Sequence, residues 1–229
     1  MLLVSILGDS ISTYEGFNPP HYSVFYESEN LRKNWMRSVY DTWWAKVNQY
    51  LHACICVSNA YSGSRVTGKR FPSASCMERT QNLHSSVGKP DIVLIYIGFN
   101  DFADGTPIWA NGGEDAFENA YRLMLQNIKR GYPESVIICG TLMQTYIADM
   151  PHWHFPEKWS GVSFSSYNEA IRRSALYENC LIADLAATGN KYQTLDGTHP
   201  TRNGHAEIAE TWIRCIHGLL EILKLKKKL

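Results

Sequence analysis

Leu2-Leu3-Val4-Ser5-Ile6-Leu7-Gly8-Asp9-Ser10 carries an apolar run that ends abruptly in a Gly-Asp-Ser turn. The run is short and hydrophobic at consecutive positions, as expected of a strand covered on both faces in a parallel sheet. Four further runs of this kind follow: Ala53–Ser58, Asp91–Ile97, Ser135–Leu142 and Cys180–Leu185. Between them lie segments whose apolar residues recur at helical spacing. Val39–Leu51 repeats at Val39, Trp43, Val47 and Leu51; Glu114–Lys129 and Ser166–Tyr177 behave similarly, and Glu207–Lys224 places Ile208, Trp212, Ile216 and Leu219 on one face. This alternation predicts an α/β fold: a three-layer α/β/α sandwich on a five-stranded parallel sheet, strand order 2-1-3-4-5. Residues 1–229 show no repeat, low-complexity stretch or linker and read as one domain.

In such sheets ligands bind beyond the carboxyl ends of the strands. Ser10 follows the first run, Asn59 to Gly63 the second and Gly98 to Asp101 the third, while Asp196 and His199 follow the fifth. The polar candidates therefore gather on one sheet edge. A serine hydroxyl is a poor nucleophile until an imidazole accepts its proton, and a carboxylate must hold that imidazole in the right tautomer. Ser10, His199 and Asp196 are the residue types for those roles. His199 is the one histidine with both a carboxylate three residues upstream and a proline directly after it. An acyl-transfer site also needs donors aimed at the developing oxyanion. The Ser10 N–H, the Gly63 N–H in Asn59-Ala60-Tyr61-Ser62-Gly63 and the Asn100 amide are candidates.

The four fragments Gly8-Asp9-Ser10-Ile11-Ser12, Asn59-Ala60-x-x-Gly63, Gly98-x-Asn100-Asp101 and Asp196-x-x-His199-Pro200 resemble, in order, the sequence blocks of the SGNH hydrolases, the GDSL-type esterases and lipases. Ile11 stands where the name-giving Leu would be. The resemblance implies a flavodoxin-like fold and a cofactor-free serine esterase, with Ser10 as nucleophile, His199 as base and Asp196 as orienting acid. It implies an oxyanion hole of Ser10, Gly63 and Asn100, with Gly68 competing for the Gly63 place, and a structural role for Asp101. Small acyl groups, acetyl above all, carried on a carbohydrate, are the favoured substrate class. A lipase or thioesterase for longer chains, acyl transfer to an alcohol, and a binding module on the same fold are the alternatives.

Other features point elsewhere. With 22 basic against 22 acidic residues, nothing favours nucleic acid as a partner. No apolar stretch approaches the length of a membrane span, and Met1 to Leu7 lacks the basic start and length of a signal segment. The lysines of Lys224 to Lys228 read as a solvated helix end. Cys54, Cys56, Cys139 and Cys180 fall in the apolar runs, Cys54 and Cys56 on one strand face, which predicts buried, reduced thiols and a cytoplasmic protein. Gly63-Ser64-Arg65-Val66-Thr67-Gly68-Lys69-Arg70 nearly spells a phosphate-binding loop, but Arg70 stands where a hydroxyl should hold Mg²⁺. His152-Trp153-His154 lacks a second ligand pair for a metal and reads as an aromatic rim. Two long connections, Thr13 to Trp35 and Met143 to Gly161, carry many aromatics and are expected to pack mostly on the sheet. Trp109 and Trp153 are the candidates for a substrate wall. The sequence does not indicate an oligomeric state.

Overall fold

The computed structural model describes residues 1–109 and 115–226. In chain order the elements are β1 (Leu2–Gly8), α1 (Ser28–Lys33), α2 (Trp43–Tyr50), β2 (Ala53–Ala60), α3 (Met77–Gln81), β3 (Ile92–Tyr96) and α4 (Phe99–Asp104). There follow α5 (Phe117–Gly131), β4 (Val136–Gly140), β5 (Gln144–Ile147), α6 (Phe164–Tyr177), β6 (Leu181–Ala183), β7 (Lys191–Thr194) and α7 (Arg202–Lys226). The main sheet runs β2-β1-β3-β4-β6 with every pairing parallel, which is the expected order with β6 as its fifth strand. Helices α2 and α7 pack together on one face; α3, α5 and α6 pack on the other. Strand order reverses between β1 and β3, so the crevice that this topology offers a ligand opens beyond Gly8 and Tyr96.

Burial explains the two central strands. Every residue of β3 is buried, and Val4, Ile6 and Leu7 of β1 have no exposed surface. The one polar residue inside β1, Ser5, donates its hydroxyl to the Leu83 carbonyl at 2.7 Å. Helix α5 covers one face with Phe117, Tyr121, Met124 and Ile128, spaced three or four apart along one stripe. On the other face Trp43 of α2 stacks on Trp212 of α7, ring centres 5.3 Å apart.

Several elements differ from expectation for local reasons. The helix expected over Val39–Leu51 is a short 3-10 turn, Val39–Asp41, and then α2. Thr42, in extended backbone between them, accepts a hydrogen bond from the Ala45 N–H and so starts α2 afresh. Helix α5 begins at Phe117; the expected start at Glu114 lies outside the described residues, as do the lysine side chains from Lys224 onward. A second, two-stranded sheet pairs β5 with β7 in parallel. Gln144-Thr-Tyr-Ile and Lys191-Tyr-Gln-Thr are short and half polar, so no apolar run marks them. Cys54 is exposed, contrary to the expected burial, because β2 is the edge strand. A register shift opposite Val4 and Ser5 leaves Cys56 without a partner, and its thiol turns to the Leu83 and Gly88 carbonyls. Cys139 is buried and Cys180 partly so. Among the described residues no helix is long and apolar enough to cross a membrane.

The contact between β7 and the start of α7 has no room for a side chain at Gly204. A Cβ there would lie 2.1 Å from the Gln193 carbonyl oxygen and 3.0 Å from the Pro200 Cβ. Gly204→Ala is therefore expected to cost about 1–3 kcal/mol, with the melting temperature falling by about 2–4 °C per kcal/mol. An unchanged melting temperature in a thermal scan would show that the two elements separate freely.

Candidate active site

The end of β1 is held on several sides. Asp9, buried, accepts the Ile11 N–H at 3.0 Å and starts a 3-10 turn over Ser10–Ser12. Burial raises the Asp9 carboxyl to about 6, against the lowering influence of that hydrogen bond and of neighbouring His199 and Arg79. Trp43 and Trp44 donate their indole N–H groups to the Ser12 hydroxyl and carbonyl, at 3.1 and 3.0 Å. Thr13 donates its hydroxyl to the Ser10 carbonyl at 2.9 Å. The backbone that carries Ser10 is thus fixed independently of its side chain.

The partner residues sit on the loop between β7 and α7. Thr194 and Pro200 form a bridge across its base, Thr145 donates to the Gly197 carbonyl, Tyr192 to the Thr198 carbonyl and Tyr26 to the Pro200 carbonyl. Asp196 Oδ1 accepts the backbone N–H groups of Thr198 and His199, at 2.9 and 2.8 Å, which orients the carboxylate. Its Oδ2 lies 2.7 Å from His199 Nδ1, and His199 Nε2 lies 2.9 Å from Ser10 Oγ. A carboxylate can only accept, so Nδ1 carries the proton and Nε2 is free to accept from the serine hydroxyl. Burial pushes the Asp196 carboxyl up, but the His199 hydrogen bond and charge, with the two backbone N–H groups, outweigh it and leave it below the usual range. The His199 ring also lies flat against Phe25, ring centres 3.5 Å apart and planes 6° from parallel.

The loop that carries Gly63 is joined to Asn100 through Ser64. Asn100 Nδ2 donates to the Ser64 carbonyl at 2.9 Å, which uses one amide hydrogen; among the described residues the second has no partner. Gly63 is exposed, with a φ of +78° that suits glycine. Beneath this loop the buried Asp101 accepts from Val66 N, Thr67 N and Thr67 Oγ1 at 2.7, 3.2 and 2.7 Å. Burial raises its carboxyl to about 6 despite these donors. The same bonds occupy N–H groups that a phosphate-binding loop would turn toward phosphate. The Gly68 carbonyl takes the hydroxyls of Ser73 and Ser75, within its own turn. Asn100 meets this loop at Ser64, the residue after Gly63.

Trp153 packs by the Asp196–His199 loop: a Cβ on Gly197 would lie 3.2 Å from its ring. Trp109 does not join it. It is 62% exposed over the Arg173 guanidinium of α6, in a surface pocket with Ser165, Ser166 and Glu169 whose lining includes none of Ser10, Asp196 and His199. The sequence places Trp109 after the third strand, but α4 carries the chain away from the sheet edge before it. Among the described residues no group of three His, Cys, Asp or Glu side chains is placed to hold a metal ion. Phe25 stands among the aromatics of the Thr13 to Trp35 connection that are expected to pack mostly on the sheet, and nothing in the sequence marks Arg79, because both make their contacts far along the chain.

A family model for GDSL-like lipases and acylhydrolases matches residues 2–149, which include Ser10, Gly63 and Asn100. A multidomain esterase of Ruminococcus flavefaciens is 28% identical over 139 residues, 58% of this chain and 16% of that protein, so the chain spans a small part of that relative. A solved GDSL-like lipase from Bacteroides ovatus is 25% identical with a TM-score of 0.73, covering 95% of this chain and 99% of its own. A family two carbohydrate esterase from Clostridium thermocellum, solved with cellohexaose, shares the fold at 17% identity and a TM-score of 0.58, over 96% of this chain and 65% of its own.

One buried group under the site has a measurable pH signature. His205 is fully buried, accepts the Trp43 N–H at Nδ1 and packs against the Tyr26 ring. Burial lowers it from 6.5 to about 3. The fold therefore holds His205 neutral, and its contribution to stability is complete above about pH 6.5 and lost progressively as pH falls toward 3. Asp9 and Asp101, both raised, act in the opposite sense over roughly pH 4–6. In His205→Asn, whose Oδ1 replaces the Nδ1 acceptor, urea midpoints at pH 7, 5.5 and 4 (chosen to span roughly this window) are expected to fall less than in the wild type. Parallel losses in the two proteins would contradict a neutral buried His205.

Proposed function

The chain belongs to the GDSL-like lipase/acylhydrolase family, and from that premise we propose that it is a serine esterase in which Ser10 is the nucleophile, His199 the base and Asp196 the orienting acid. The observation that carries this reading is the continuous chain of hydrogen bonds from Asp196 Oδ2 through His199 to Ser10 Oγ, at 2.7 and 2.9 Å. Ser10 Oγ attacks the ester carbonyl carbon as its proton passes to His199 Nε2. The carbonyl oxygen takes up the negative charge facing the Ser10 and Gly63 N–H groups and the unused Asn100 amide hydrogen. The imidazolium, held by Asp196, then gives its proton to the departing alcohol, leaving an acyl-serine. Water, deprotonated by the same imidazole, releases the acid and restores Ser10. The chemistry calls for no metal or organic cofactor.

The proposed substrate is a small-acyl ester, O-acetyl on a carbohydrate. Trp153 beside the triad loop offers a flat apolar surface of the kind that packs against a sugar ring. The fold shared with a carbohydrate esterase solved with cellohexaose fits the same reading. Six free cysteines suit a reducing compartment, and we place the enzyme's work in the cytoplasm, with a small molecule or carbohydrate rather than nucleic acid or membrane as its partner.

Hydrolysis of p-nitrophenyl esters from acetate to decanoate tests both parts. Ser10→Ala and His199→Ala are each expected to lower kcat by about 10³-fold or more with the fold intact, and Asp196→Asn by less. Rates that collapse beyond short chains support an acetylesterase. Rates that rise with chain length would replace it with a lipase or thioesterase, and turnover that survives Ser10→Ala would remove the assigned nucleophile.

A further inference from the structure

An imidazole that must accept a proton along one in-plane direction has a weakness that its carboxylate does not cure. The bond from Asp196 fixes Nδ1, but the ring can still turn about its own axis and swing Nε2 off the serine. In this chain the ring plane is set by something else. Phe25 lies parallel to His199 within 6° at a centre-to-centre distance of 3.5 Å, so a turn of the imidazole would drive its edge into the arene. The same contact seals one imidazole face from water and sets a π surface against the cation that forms when Ser10 is deprotonated.

Phe25 is held to the nucleophile as well as to the base. Its N–H donates to Thr13 Oγ1 at 2.9 Å, and that hydroxyl donates to the Ser10 carbonyl at 2.9 Å. Its carbonyl takes the Asn30 amide at 3.0 Å, and the Ser62 N–H bonds the Ser23 carbonyl at 2.9 Å, one residue from Gly63. Next along the chain, Tyr26 donates to the Pro200 carbonyl beside His199. We propose that Phe25 is a positioning residue that fixes the plane of the His199 base, and that the Ser23–Tyr26 strap ties this ring to the backbones of Ser10 and Pro200. The proposal rests on the reading of Ser10 and His199 as nucleophile and base.

The test compares Phe25→Leu and Phe25→Tyr with wild type and Ser10→Ala on p-nitrophenyl acetate, with the downfield proton NMR signal of His199 Nδ1–H recorded for each. Phe25→Leu keeps apolar bulk without a flat face; its kcat is expected to fall about ten- to hundredfold with KM changed by less than about twofold. Its Nδ1–H signal should broaden through exchange with water. Phe25→Tyr should restore both rate and signal. If Ser10→Ala is inactive and Phe25→Leu turns over like wild type with a sharp signal, the proposal is overturned while the triad stands. A rate surviving Ser10→Ala would overturn the reading beneath it. Should Phe25→Leu fail to fold, Phe25→Met makes the same comparison, and a wild-type Nδ1–H signal already broadened at neutral pH would overturn the proposal alone.

Discussion

A buried guanidinium organises the edge on which the site is built. Arg79 has no exposed surface, and its hydrogen bonds run to the Gly8, Asn59 and Pro72 carbonyls and to the Asn59 side chain, at 2.5–2.9 Å. Burial lowers it only to about 10, so it stays charged at neutral pH. A charge in such a place is tolerated only when hydrogen bonds replace its water. Gly8 ends β1 and Asn59 lies at the end of β2, so satisfying Arg79 fixes where Ser10 and the Gly63 loop leave the sheet. The cation also lies near enough to oppose the burial that raises Asp9.

Polar groups around the crevice continue this division of labour. Asp9 holds the turn of Ser10, Asp101 holds the loop after Gly63, and Asp196 first holds its own loop through two N–H groups before it meets His199. Each carboxylate is used to position backbone. The tryptophans of α2 do the same from the opposite face through Ser12, so the apolar core reaches to within two residues of the Ser10 hydroxyl. Such support leaves Ser10 and His199 with little freedom, and in the proposed esterase that is the condition for electrostatic stabilisation without reorganisation.

The sheet and its order are legible in the sequence because five runs of apolar residues encode strands locally, and their β-α alternation restricts the topology. The candidate-site residues Ser10, Gly63, Asn100, Asp196 and His199 stand out in the sequence for a related reason: each stands in a short block at a strand end or in the loop before the last helix. What escapes is whatever depends on distant pairing. β5 and β7 are four-residue strands with polar residues, and only their parallel contact across about 45 residues makes them a sheet. Phe25 and Arg79 occupy loop and short-helix positions with no periodicity to mark them. Cys54 looks like core until its strand proves to be the edge, and Trp109 looks like site until α4 leads it toward α6.

Covalent capture of the nucleophile tests the central claim most directly. Folded protein treated with a fluorophosphonate and digested for mass spectrometry is expected to carry a single adduct on Ser10, formed far more slowly in His199→Ala. An adduct on another residue, no adduct at all, or labelling of Ser10 indifferent to His199 would contradict a serine activated by that imidazole.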